Sequence, residues 1–114
     1  MHEMSIVSSV LETARVEQRS HPGSRVSKIA LRIGEWSGVD PESIRFCFDA
    51  LVWREIHPPQ LEIEFLPRQN RCGKCSTLFH LKNFEIACPA CGSSPTQPVS
   101  GDEMDIAWLE LEES

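Results

Sequence analysis

Two C-x2-C pairs, Cys72/Cys75 and Cys88/Cys91, separated by residues 76 to 87, constrain what this chain folds into more than any other feature of it. Two residues between cysteines let both sulfurs of a tight turn point at one ion, and Gly73 and Gly92 permit backbone conformations that other residues resist. Four thiolates at about 2.3 Å make a closed tetrahedral shell, the way zinc is held for structure rather than catalysis. Iron in the same cage and a redox dithiol are the alternatives. The segment NRCGKCSTLFHLKNFEIACPACGSS is too short to bury an adequate core, and below about 40 residues a metal or disulfides normally supply what the core lacks. Disulfides fit poorly, because the chain has five cysteines, an odd number, and a reducing compartment keeps thiols free. Phe79, Phe84 and Ile86 are expected to pack around the metal knuckles. His80 reads as an exposed polar residue, since four thiolates already fill the shell.

The rest of the chain reads as a small α+β unit interrupted by this insert. Ile6, Val10 and Ala14 recur at steps of four with Val7 and Leu11 beside them, which predicts a helix over roughly residues 4 to 19. In VSKIALRI, Ile29, Leu31 and Ile33 share one parity and Lys28 and Arg32 the other, the pattern of a half-buried strand. Asp40, Pro41 and Glu42 form a helix start, and Ile44, Cys47, Phe48 and Leu51 make the buried face of a second helix ending near Glu55. Cys47 on that face reads as a small core residue. LEIEFL predicts a second strand with Leu61, Ile63 and Phe65 inward, and MDIAWLEL a third with less regular alternation. Strand, helix and strand in that order point to a right-handed crossover joining parallel neighbours, with a hairpin-like arrangement as the alternative. The expected architecture is two helices on one face of a small three-stranded mixed sheet formed by residues 1–66 and 100–114, with a zinc-ribbon domain inserted over residues 67–99.

Of the 114 residues, 40% are apolar and 25% charged, with a formal net charge of -6, which is an ordinary globular composition and a poor match to a surface built for phosphate backbones. The insert carries Arg68, Arg71, Lys74 and Lys82 against Glu85, a formal +3 that falls to about +1 once a dication and four thiolates are counted. That is too little for strong nucleic-acid binding, so a zinc-ribbon nucleic-acid or transcription-associated module remains only the alternative function. No run approaches the ~20 apolar residues of a membrane span, and the first residues lack a secretory signal, so a cytoplasmic protein is expected. Phosphate loops, nucleophile elbows and H-E-x-x-H are all missing, and no enzymatic activity is expected.

The chain starts MHEMSIV, with His2 and Glu3 ahead of the first helix, where packing asks for neither. The imidazole of His2, the amides of His2 and Glu3 and the terminal amine of Met1 are compact nitrogen donors that suit Ni(II) or Cu(II) better than Zn(II) or Mg(II). The first amides of a helix have no intrahelical acceptor to lose, so their use as ligands costs the fold little. A lone histidine at a chain end is also, more ordinarily, a solvated terminus.

MHEMSIVSSV, RIGEWSGVDPESIRFCF, the paired cysteines and GDEMDI, in that order over nearly the whole chain, resemble the HypA/HybF family of nickel-insertion accessory proteins for [NiFe]-hydrogenase maturation. The resemblance implies a nickel metallochaperone with Ni(II) as transient cargo and structural Zn(II). His2 would be the nickel ligand, with the Glu3 amide or carboxylate implicated beside it and Asp40 near the metal; Cys72, Cys75, Cys88 and Cys91 would hold the zinc, while the Met1 amine is a further candidate donor from its chemistry alone. It also implies a HypB-type nickel GTPase and the hydrogenase large-subunit precursor as partners, and admits a homodimer.

Overall fold

The structure is a computed structural model in which residues 3–82, 87–94 and 96–114 are described; Met1, His2, Phe84 and Ile86 lie outside the described residues. The element order is α1 (Glu3–Ser20), β1 (Ser24–Gly34), α2 (Pro41–Val52), β2 (Gln60–Leu66), β3 (Gln69–Cys72), β4 (Leu78–His80), β5 (Thr96–Ser100) and β6 (Met104–Glu113). β2, β1 and β6 form one sheet in that order, with β1 parallel to β2 and antiparallel to β6. β4, β3 and β5 form a second, antiparallel sheet within the insert.

The stripe of α1 buries all five of its expected residues, Ile6, Val7, Val10, Leu11 and Ala14. They meet Ile29, Leu31 and Ile33 of β1, Leu61 of β2 and Ile44, Phe48 and Val52 of α2 in one core. Both helices thus cover one face of a mixed sheet, as the pattern required. The opposite face is ionic: Lys28 pairs with Glu62 at 3.3 Å, and Arg32 holds both carboxylate oxygens of Asp105 at 2.9 and 3.0 Å. Two-pronged Arg–carboxylate geometry of this kind is the stronger form of an exposed pair.

Three details of the expected pattern are corrected. Helix α2 ends at Val52 rather than near Glu55, and its buried stripe steps by four through Ile44, Phe48 and Val52, which leaves Leu51 40% exposed and Cys47 half-buried. Phe65, expected inward, is 52% exposed, because α2 packs on β2 only as far as its Leu61 and Ile63 end. In β6, Ala30 pairs with Trp108 but Leu31 with Ile106, so Ala107 is an extra residue. This bulge switches the inward parity from Met104 and Ile106 to Leu109 and Leu111 and turns Trp108 outward. The irregular alternation of MDIAWLEL is the sequence trace of that bulge.

Candidate metal centre

The four cysteine sulfurs lie together. Their Sγ atoms are all within 4.8 Å of one another, with Cys72–Cys91 and Cys75–Cys88 each at 3.6 Å. A tetrahedron with metal–sulfur bonds of about 2.3 Å requires sulfurs about 3.8 Å apart, so the cage already has the dimensions of a four-thiolate site. Each C-x2-C turn is built the same way. The amides of Lys74 and Cys75 point at the Cys72 sulfur at 3.4 and 3.5 Å, and Ala90 N–H points at the Cys88 sulfur at 3.4 Å. The turns close through Ser76 N–H to Cys72 O and Gly92 N–H to Cys88 O, and Gly92 takes the left-handed conformation, φ 75°, at the end of the second turn.

Amides aimed at sulfur favour thiolate over thiol. The Thr77 hydroxyl, 3.1 Å from the Cys75 sulfur, together with the Thr77 amide brings that thiol down to about 6. Hydrogen bonding from Ser93 lowers Cys91 as well. Burial pushes Cys88 up, the opposite direction, and a cation in the cage would offset it. Cys72 and Cys88 are buried and Cys75 and Cys91 exposed, so one sulfur of each pair faces a small core of Phe79 and Leu81 and the other faces water.

A second feature lies where both helices start. Glu3, Met4, Asp40, Glu42, Ser43, Phe46 and Cys47 line one groove. Asp40 caps α2, its carboxylate accepting from Glu42 N–H at 3.2 Å and from the Ser43 hydroxyl at 3.0 Å. Glu3 and Asp40, which the sequence reading linked only through resemblance, therefore border the same hollow. His2 and the Met1 amine, the other two expected donors, lie outside the described residues.

The insert and the α/β sheet are joined at a clamp that sequence reasoning did not reach. Gly34, Glu35 and Trp36, at the end of β1, take the strands entering and leaving the insert between them: their amides donate to Glu103, Leu66 and Gly101 carbonyls at 2.7, 2.8 and 2.8 Å. One carboxylate oxygen of Glu35 receives the Arg68 amide at 2.8 Å and lies 2.8 Å from Nε2 of His80 on β4. The Arg68 amide first, then His80, hold the Glu35 carboxyl below its ordinary range. The Arg68 guanidinium lies 4.6 Å over the Trp36 ring, and Trp36 packs against the small core beside Cys72 and Cys88. His80 is exposed, as expected, but it is tied. Nothing near Glu35 in sequence signals this, because its partners are 33 and 45 residues away.

A mixed α/β sheet bearing an inserted four-thiolate cage, with a separate acid-lined groove at the start of both helices, defines a small metal-binding protein. A family model described as hydrogenase/urease nickel incorporation, metallochaperone, HypA matches residues 1–111. Hydrogenase maturation factors HypA from Geobacter sulfurreducens and Methylocella silvestris are each 38% identical to the chain over 113 residues, covering 98% of it and all of their own length. The solution structure of the Ni metallochaperone HypA from Helicobacter pylori superposes over the whole of both chains with a TM-score of 0.63 at 23% identity, which shows the shared fold. This chain belongs to the HypA family. Among the described residues, no helix is long and apolar enough to cross a membrane.

Proposed function

We propose that this protein is a nickel metallochaperone of hydrogenase maturation, binding Ni(II) at its N-terminus and passing it, with a HypB-type GTPase, to the large-subunit precursor. The observation that carries the reading is the family match over residues 1–111, which begins at the Met-His-Glu start and spans the cysteine quartet. His2 is the nickel ligand in this proposal, with the Glu3 amide or carboxylate and the Met1 amine completing the donor set. Asp40 contributes negative charge across the groove that Glu3 also lines, which favours a dication there. Nitrogen-rich donors at a chain end suit Ni(II) and leave the ion exchangeable, which cargo requires.

The four-cysteine cage is assigned to resident Zn(II), held by Cys72, Cys75, Cys88 and Cys91. Its sulfur spacing and its amide-supported turns support that assignment. Zinc would supply folding free energy to residues 67–99, which form a domain apart from residues 1–66 and 100–114. The protein acts in the cytoplasm and turns over no substrate; it holds and releases an ion.

The test is a nickel titration of protein with a native, untagged N-terminus. His2→Ala is expected to abolish one-to-one nickel binding while zinc content and unfolding stay nearly unchanged, because a residue at the chain end contributes little packing. Undiminished affinity in that variant would overturn the N-terminal site. Adding a residue before Met1 then separates the donors, since only a site that uses the terminal amine loses affinity on extension.

A further inference from the structure

β6 ends the α/β sheet. It pairs with β1 on one side, and among the described residues no strand lies on the other, so the backbone groups of Met104–Glu113 that point away from β1 form an open ladder. The inward side chains of this strand are also incompletely covered: Met104, Ile106, Leu109 and Leu111 pack against the core but stay part-exposed. Between the edge strand and α1 lies a groove of about 440 Å³, walled by Ile6, Ser9, Val10 and Thr13 on the helix and by Met104, Asp105 and Ile106 on the strand. Its chemistry is apolar. Asp105 is engaged by Arg32 on the outer face of the sheet, and the Thr13 hydroxyl donates to the Ser9 carbonyl at 3.0 Å, so neither asks for a partner inside the groove.

We infer that this edge is a docking site for an extended segment of a partner protein, which joins the sheet as a fourth strand beside β6. Main-chain bonds to the open ladder hold such a segment, and its alternate side chains point to opposite faces of the sheet. Those on the α1 side enter the groove beside Met104 and Ile106 and are apolar. Those on the other side lie along Trp108, 45% exposed, and the carboxylates of Glu110 and Glu112. The bulge at Ala107 interrupts the edge, so pairing falls on either side of it.

Charge names the occupant. β6 carries Asp105, Glu110, Glu112 and Glu113 and no basic residue. Across the outer face, Arg25, Lys28 and Arg32 supply a formal +3 against -5 from Glu62, Glu64, Asp105, Glu110 and Glu112, which leaves -2. Lys or Arg at the outward positions of the segment offsets that excess, and the exposed Trp108 ring attracts the same cations. A second copy is the wrong occupant, because two β6 edges side by side would set carboxylate against carboxylate. The segment is therefore alternately apolar and basic. Ile6, at one end of the groove, is one helical turn from Glu3, so the docked segment ends beside the hollow that Glu3 and Asp40 border. An unfinished chain offers an unpaired strand of this kind, whereas a folded domain has already paired its own. The inference goes beyond the nickel reading and stands without it.

Fluorescence anisotropy of the zinc-loaded full chain, without nickel, tests the site with labelled eight-residue peptides in which Lys alternates with Val, Ile, Leu or Phe. At least one peptide is expected to saturate the protein below millimolar concentration, and replacing its Lys by Glu should weaken binding at least ~10-fold. A strand bonds β6 through one of its two edges, so N-methylation of alternate amides should weaken binding at least ~10-fold in one frame and far less in the other. Thr13→Arg, on an exposed helix position, obstructs the groove and should weaken binding by at least ~10-fold with unchanged helical circular dichroism. No binding of any peptide at millimolar concentration overturns the inference. Binding that is equal in both methylation frames, or indifferent to Thr13→Arg, overturns it too and shows attraction to an acidic surface alone. Slowing of β6 amide exchange with rising protein concentration, in the absence of peptide, overturns it in favour of a second copy at the edge.

Discussion

Gly34→Ala tests the clamp between sheet and insert without touching a charged group or a cysteine. A Cβ at Gly34 would lie 2.2 Å from both the carbonyl carbon and the oxygen of Gly101 and 2.6 Å from the amide of Asp102. All three are backbone atoms, so no side chain can swing aside, and the strand leaving the insert must retreat by more than an ångström. That retreat strains the bonds from Gly34 N–H to Glu103 O at 2.7 Å and from Trp36 N–H to Gly101 O at 2.8 Å. Overpacking costs about 1–3 kcal/mol, and each weakened hydrogen bond adds up to about 1 kcal/mol, so a loss of about 3 kcal/mol is expected. With a urea slope of about 1.5 kcal/mol per molar, the unfolding midpoint should fall by about 2 M. Gly38→Ala is the control: at φ 80° it has no atom within 4 Å of the added Cβ, so it bears only the conformational cost of about 1–2 kcal/mol. Urea unfolding of zinc-loaded protein followed by circular dichroism decides the matter. A Gly34→Ala midpoint equal to wild type, or above that of Gly38→Ala, would show that the strands do not cross as closely as described.

Replacing Cys72 or Cys88 by Ala should release zinc and unfold the insert, because the ~10–16 kcal/mol of structural zinc binding is the insert's folding free energy, while helical circular dichroism from α1 and α2 persists; loss of that helical signal on chelation would refute the division. Thr77→Val removes the hydroxyl that lowers Cys75, so competition by protons strengthens and zinc should be lost to a chelator at a higher pH than in wild type, measured by colorimetric zinc release. The Glu35 carboxyl is held below its ordinary range, so its contribution to stability is present above about pH 4.3 and disappears as pH falls through its lower folded value; Glu35→Gln should flatten stability against pH in that acid window, and identical pH profiles of unfolding would refute the clamp's electrostatic part.

The parts legible in the sequence are those where a local rule and the tertiary structure agree. The α1 stripe, the Asp40-Pro41 start of α2 and the parity of β1 each follow from a periodicity or a cap, and each is found in place. The cysteine quartet is legible for the same reason, because C-x2-C fixes two sulfurs within one turn whatever surrounds it. What misled was a choice between neighbours. Leu51 and Val52 are both apolar, and the stripe chooses Val52 because α2 lies on the sheet along its i, i+4 row. Phe65 alternates correctly but runs past the end of the helix that would cover it. The Ala107 bulge and the Glu35 clamp could not be read, since each depends on which distant strand lies alongside.

The cysteine cage and the groove proposed above for nickel would meet opposite demands, and their surroundings differ accordingly. A resident ion needs donors that cannot leave, and the cage provides them: two of its four sulfurs are buried, amides from within each turn point at them, and Trp36 closes one side. Cargo needs donors that can let go. The groove at the helix starts has no buried ligand among its described residues, and its one fixed carboxylate, Asp40, is already engaged by Glu42 N–H and the Ser43 hydroxyl. In the proposed nickel site, a carboxylate occupied in this way would attract a dication through space without surrendering its cap, raising local affinity while leaving no bond to break for release. The clamp at Glu35 stands between these features and joins β1, which runs under both helices, to the strands that carry Cys72. If the cage holds zinc and the groove nickel, as proposed, loss of zinc would withdraw the support of His80 and Arg68 from the end of β1, and the zinc-free chain should hold that groove on a looser frame.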